Sequence, residues 1–166
     1  MTGPQILLWP DARLRQHCEP VAEGEDMTAL ATAMLAAMYA AQGRGLAAPQ
    51  VGVLQRLFVM DAGWKTGAMT PLICVNPEIL ALSDQRIAGA EGCLSIPGDP
   101  LEVLRPDWIE LRWQGLDGSV QQRRLTGFEA RCAQHEIDHL NGKVIFDHLD
   151  EDKRALLEGA YLEARR

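Results

Sequence analysis

The 166-residue sequence predicts an α+β fold, with mostly antiparallel sheets packed around a central HExxH helix, an N-terminal helix and a C-terminal helix. Three observations predict it. Apolar residues make up 47% and charged residues 23% of the chain, a balance that suits one globular core at a length usual for one domain. The periodic segments run helix, then strands, then helices, which favours α+β over alternating βαβ units. The stretch from Trp108 to Trp113 alternates cleanly and returns after Asp117-Gly118, so the sheet is at least partly antiparallel with one wet face. Residues 1–166 are expected to form a single domain.

The elements follow in order. Residues 1–25 read as an irregular arm rich in proline and charge. Met27, Leu30, Met34 and Met38 then recur at helical spacing, with Asp26 where an N-cap belongs and Gly43 just past the end; a helix over about 26–42 is expected. Short apolar runs at 56–60 and 72–75, bounded by Gly, Pro or Asn, read as strands. The hairpin of 108–113 and 119–125 places Ile109, Leu111 and Trp113 on its buried face. A second helix begins at Thr126, whose pairing with Glu129 fits a capping box, and Gly142 fits its stop. A third covers about 150–164, with Asp150 as cap and Leu156, Ala160 and Ala164 as its apolar stripe.

Charge and cysteine use exclude several classes. Sixteen Lys and Arg against 23 Asp and Glu give a net charge of −7, which argues against direct DNA binding and against docking on anionic membranes. Four scattered cysteines form no CxxC pair, so a zinc ribbon or thioredoxin-like motif is excluded, and they are too sparse for a disulfide scaffold. No N-terminal apolar run has the length of a signal peptide, and the longest helical apolar region is too short to span a bilayer. The expected compartment is the cytoplasm, where thiols stay reduced.

The chemistry centres on His135-Glu136-Ile137-Asp138-His139. Helix positions i and i+4 share a face, so two imidazoles so spaced can bind one metal ion, and the intervening Glu can act as general base on a water there. On a helical wheel Phe128, Cys132, His135 and His139 form one stripe; Ala130, Ala133, Ile137 and Leu140 lie opposite; Arg131, Gln134, Asp138 and Asn141 form a strip expected to be wet. The histidines and Glu136 lie off that strip, so they are expected to be buried, and a buried carboxylate needs a cation or a proton. A catalytic metal usually takes three protein ligands and a water. Cys93, His17 and His148 are candidates for the third; Cys93 sits in a Gly-flanked segment that reads as a loop held against another element. In Gly43-Arg44-Gly45-Leu46-Ala47-Ala48-Pro49-Gln50 the small residues permit close backbone approach. Gln50 there is either an oxyanion donor or part of a tight turn.

Together, Gly43-x-Gly45-Leu46-Ala47-Ala48-x-Gln50, Glu91-Gly92-Cys93-Leu94-Ser95 and Gln134-His135-Glu136-x-Asp138-His139 resemble the three signature motifs of the peptide deformylases, in that family's order, and the segment from Pro10 to Arg15 resembles its N-terminal region. The resemblance covers nearly the whole chain, about residues 6–160. It implies a single deformylase-like catalytic domain that removes the formyl group from N-formylmethionine of newly made polypeptides, releasing formate. It implies one divalent metal ion held by Cys93, His135 and His139 with water as fourth ligand, typically Fe(II), which zinc, nickel or cobalt can replace. Glu136 would shuttle the proton, Gln50 and the Leu94 backbone N–H would stabilise the oxyanion, and Gly45 would hydrogen-bond the substrate backbone. The implied partner is the nascent N-formylmethionyl polypeptide, with transient ribosome contact, for which Arg123, Arg124 and Arg131 would supply a basic patch. Arg44 departs from the family pattern, where that position is often small or aliphatic, and bears on specificity. The remaining cysteines read as core in a strand (Cys74), part of the arm (Cys18) and pocket lining (Cys132).

Overall fold

The structure, a computed structural model, describes residues 3–166. Its strands are β1 (Gly45–Ala47), β2 (Leu57–Met60), β3 (Leu72–Leu82), β4 (Arg86–Cys93), β5 (Ile96–Pro106), β6 (Trp108–Gln114) and β7 (Val120–Thr126), and its helices are α1 (Thr28–Ala40), α2 (Gly127–Leu140) and α3 (Glu151–Glu163). Five strands form an antiparallel sheet in the order β1-β2-β3-β6-β7, and β4 and β5 form a separate two-stranded ribbon. The architecture is the expected α+β one, with antiparallel sheets around the HExxH helix.

The sheet separates two apolar layers. Phe58, Met60, Cys74, Ile109, Leu111 and Leu125 pack with Ala130, Ala133, Ile137 and Leu140 of α2. On the other face Leu46, Leu57, Val59 and Val75 pack with Ala31, Met34 and Met38 of α1. Helix α2 is thus pinned along its length by apolar burial, the condition for holding its polar side chains in fixed positions.

Several elements differ from the reading by sequence. Strand β3 runs on past Pro77, because the pairing with β6 shifts register between Val75 and Glu78, and the proline sits where the ladder lacks a bond to lose. Helix α1 ends with Gln42 at a φ of 61°, so Gln42 makes the left-handed stop expected of Gly43. Gly43 is needed for another reason: a Cβ there would lie 2.6 Å from Leu94 Cδ1. Thr126 stands at the N-cap of α2 but makes no capping hydrogen bond, and Glu129 pairs with Arg123 at 3.1 Å instead of closing a box. Asp150 does cap α3, accepting from the Lys153 N–H at 2.8 Å, yet Leu156 is 70% exposed and no residue of α3 is buried. That helix docks through the Tyr161 ring against Phe146 and through polar groups: Trp9 Nε1 donates to Glu158 and Tyr161 Oη donates to the Trp9 carbonyl, each at 2.8 Å.

The long ribbon replaces the loop expected around Cys93. Its inward positions include Glu91 and Arg105, an ion pair where apolar residues normally mark a strand, so no alternating signal betrays it. The N-terminal arm is irregular but anchored, with Trp9, Leu14, Cys18 and Val21 buried. Its Leu7 N–H bonds the Gln50 carbonyl at 2.7 Å and its Trp9 N–H bonds the Ser95 carbonyl at 2.8 Å, tying two distant segments together. Among the described residues no helix is long and apolar enough to cross a membrane.

Candidate metal centre

Helix α2 delivers His135, Glu136 and His139, all buried, to the face of the domain against which the ribbon folds. Cys93 arrives at the end of β4, one residue before the Leu94-Ser95 turn into β5. One ligand atom from each of Cys93, His135 and His139 lies within 4.8 Å of the others, and Cys93 Sγ is 3.4 Å from His139 Nε2. His17 and His148 are elsewhere: His17 lies beside Arg56, and His148 binds Asp138 at 2.7 Å. Of the three candidates for the third ligand, only Cys93 joins the cluster.

The strip of α2 expected to be wet faces the ribbon. Arg131 donates to the Val103 and Ile87 carbonyls at 2.8 and 2.6 Å, Gln134 donates to the Pro106 carbonyl at 3.1 Å, and Asp138 accepts from Arg105 at 2.9 Å. Only Asn141 of the four is exposed. Polar groups on this strip satisfy backbone and charges of β4 and β5 rather than water, a choice that a single-helix wheel does not encode.

Glu91 is the residue the sequence reading used only as part of a motif. It accepts from Arg105 Nη2 at 2.8 Å and from Arg131 Nη1 at 2.7 Å, and its Oε1 lies 2.9 Å from His135 Nδ1. Burial would raise its carboxyl, but the Arg105 and His135 hydrogen bonds and charges outweigh that and hold it at about 2. An ionised Glu91 accepts a hydrogen bond from His135 Nδ1–H, which favours the tautomer of the neutral ring whose lone pair sits on Nε2, the nitrogen turned to the cluster. The signal in the sequence was the unexplained acidic residue two positions before Cys93.

Cys93 and Glu136 are displaced in opposite directions. Burial would raise the Cys93 thiol, but the charge of His139 and the hydrogen bonds of both histidines pull it down to about 5, so it is a thiolate at neutral pH. Burial pushes the Glu136 carboxyl up to about 7, against the neighbouring histidines. Glu136 Oε1 is 4.0 Å from His135 Nε2, and its buried Oε2 has no hydrogen-bond partner. A thiolate, two imidazoles and an unsatisfied buried carboxylate oxygen converging on one point fit a borderline-soft divalent metal with an open coordination position.

Gln50 sits within a short 3₁₀ turn (Ala48–Val51) that follows β1. Its Oε1 accepts from the Ala47 N–H at 2.9 Å, which turns Nε2 toward Ser95 Oγ at 3.0 Å and Cys93 Sγ at 3.9 Å. Leu94 occupies the turn beside them. A Cβ on Gly45 would meet Glu136 Oε1 at 2.7 Å and Cys132 Sγ at 2.9 Å, so only glycine lets β1 pass the carboxylate. Gly45, Gln50, Cys93, Leu94, His135 and Glu136 all line a cleft of 340 Å³. Strands β1 and β4, each at the end of its sheet, border it. The basic patch expected around Arg123, Arg124 and Arg131 is neutralised pairwise by Glu129, Glu110 and Glu91.

Comparison with known proteins agrees with this geometry. The profile of the polypeptide deformylase family matches residues 4–155. A peptide deformylase of Alkalilimnicola ehrlichii is 49% identical over 150 residues, 90% of this chain and 83% of the relative. One of Agrobacterium fabrum is 40% identical over 167 residues, 100% of this chain and 98% of the relative. Among solved structures, the peptide deformylase from Ehrlichia chaffeensis in complex with actinonin has a TM-score of 0.90 at 35% identity, covering 100% of both chains. That from Thermotoga maritima has a TM-score of 0.84 at 37% identity, covering 90% of this chain and 99% of the other.

Proposed function

The chain belongs to the polypeptide deformylase family, and from that premise we propose that Cys93, His135 and His139 hold its metal while Glu136, Gln50, Leu94 and Gly45 act on the substrate. The enzyme is a metal-dependent hydrolase that removes the N-formyl group from nascent polypeptides. The observation that carries the residue assignment is that one thiolate and two imidazoles lie within 4.8 Å of one another, beside a buried Glu136 carboxylate whose Oε1 is 4.0 Å from His135 Nε2 and whose Oε2 has no partner among the described residues.

The bound metal supplies a Lewis acid that lowers the pKa of water and polarises the formyl carbonyl. Glu136, with a carboxyl poised at about 7, takes the proton from the attacking water and returns it to the leaving amine of methionine. Gln50 Nε2, aimed by its bond to Ala47, and the Leu94 N–H donate to the oxygen that becomes negative in the tetrahedral intermediate. Gly45 lies on the free edge of β1, so its backbone can pair with the substrate as an added strand. Formate and the free methionyl amine are the products.

The resident metal in this reading is Fe(II). A thiolate with two imidazoles suits iron, zinc, nickel or cobalt and disfavours magnesium or calcium. The compartment proposed is the cytoplasm, where all four cysteines stay free and the thiolate and a ferrous ion stay reduced. Transient ribosome contact belongs to the same reading because the substrate emerges there; the paired arginines 123, 124 and 131 are not its basis. Residues 1–166 are read as one catalytic domain, since β1, the ribbon and α2 line one cleft and the arm bonds the Gln50 and Ser95 carbonyls. Anaerobic purification with metal analysis and a formate assay on a formyl-Met peptide tests the whole. One equivalent of transition metal and formate release are expected; protein lacking both would refute the assignment.

A further inference from the structure

We propose that Arg44 makes the cleft select substrates with an acidic side chain in the residues just after the formylmethionine, an inference that rests on the deformylase reading. Arg44 precedes Gly45 at the edge of β1 and lines the cleft. Its backbone is held in place: the carbonyl accepts from the Asp61 N–H at 2.8 Å and from Cys132 Sγ at 3.5 Å. Its guanidinium lies over the Phe128 ring, 4.7 Å from the centroid, so the cation is braced by an aromatic face. Its Nε is buried without a hydrogen-bond partner, and it forms no salt bridge among the described residues.

The other charges of the cleft sharpen the contrast. Arg131 is consumed by Glu91 and two carbonyls. Glu91 is in turn consumed by Arg105, Arg131 and His135. Glu136 lies at the buried end, beside the metal ligands. Lys65 also lines the cleft; it stacks on Trp64 and has no acidic partner among the described residues. A protein of net charge −7 thus lines one cleft with two cations, Arg44 and Lys65, that have no acidic partner among the described residues. A cation left without an internal partner is available to an external one, and the planar guanidinium fork matches a carboxylate bidentately. A peptide paired along β1 places its side chains in alternation past Arg44, which puts an Asp or Glu within reach.

The test compares formate release by the metal-loaded enzyme from formyl-Met-Ala-Ser, formyl-Met-Asp-Ser and formyl-Met-Ala-Asp, with lysine counterparts. At low ionic strength kcat/KM for at least one acidic peptide should exceed the neutral one by about fivefold, carried by KM, and the advantage should shrink with salt. The lysine peptides should fall below the neutral one. In Arg44→Leu the acidic-to-neutral ratio should drop to about one, and Arg44→Lys should retain part of it. The deformylated peptides, used as competitive inhibitors, should show the same order without any turnover. Equal rates for acidic and neutral peptides, or a preference that survives in Arg44→Leu, overturn this inference alone. Absence of formate from every peptide overturns the deformylase reading and this inference with it.

Discussion

Gln50 and Glu91 separate two ways in which a single side chain serves a buried metal centre. Gln50 is 1% exposed and is oriented by one backbone N–H, so its amide donor is pre-aligned and costs no reorganisation as charge develops. Gln50→Ala should therefore lower kcat by roughly 10²–10³ while metal content stays at one equivalent; loss of metal from that variant would contradict the role. Glu91 acts through His135, not on the substrate. Glu91→Gln keeps the shape but removes the charge that fixes the His135 tautomer, and it leaves Arg105 and Arg131 without their shared carboxylate. Metal affinity should fall about 10–100-fold, read by competition with a chromophoric chelator, and the melting temperature should fall as well. His135, Glu136 and His139 were legible as chemistry because their residue types and spacing are diagnostic by themselves, whereas Gln50, which by itself read equally as part of a tight turn, gained a role only through the family resemblance. Glu91 was not, since its work depends on a histidine 44 positions away.

At the scale of elements, the arm, the turn before α3 and α3 itself share a buried apolar cluster around Trp9, Leu14, Ile145 and Phe146, and charge joins them as well. Asp147 accepts from Arg15 at 2.6 and 2.9 Å, from Arg154 at 2.6 Å and from the Val144 N–H at 2.8 Å. Burial would raise its carboxyl, but the Arg15 and Val144 hydrogen bonds and Arg154 hold it at about 2, below its ordinary 3.8. A depressed folded pKa contributes stability that is complete above 3.8 and disappears as the pH falls toward about 2. Urea midpoints taken across that interval should fall steeply in the parent protein and less steeply in Asp147→Asn; identical slopes would refute the linkage. The exposed Leu156 stripe shows why the docking of α3 was illegible: the periodic apolar residues were there, but Trp9 and Ser95 offered Tyr161 and Glu158 polar partners instead. The hairpin of β6 and β7 was legible because one face meets α2 and the other meets water, which leaves alternation in the sequence.

For the molecule as a whole, the metal would add a further link between two elements already joined by hydrogen bonds and ion pairs, α2 and the ribbon. Cys93 comes from the ribbon and the two histidines from α2. Metal at about 100-fold above its Kd should add about 3 kcal/mol to folded stability, or roughly 6–12 °C in melting temperature for a chain of this size. Stripping the metal with a chelator under anaerobic conditions should lower the melting temperature by that amount, and adding Fe(II) back should restore it. Cys93→Ser should lose most of the effect; a full metal-dependent shift in that variant would remove Cys93 from the ligand set.

The sequence by itself determined the α+β class, the helix that carries His135, Glu136 and His139 and the kinship with the deformylases, because periodicity, i,i+4 spacing and short motifs are local properties. Tertiary structure picked Cys93 over His17 and His148 on geometry, in agreement with the resemblance, and it alone decided that Glu91 holds His135, that the polar strip of α2 faces a ribbon, and that Arg44 forms no salt bridge among the described residues. Each of those depends on which distant groups share a low-dielectric space. A charge or a lone pair is satisfied or left free by its neighbours in space, and the linear order of residues does not record them.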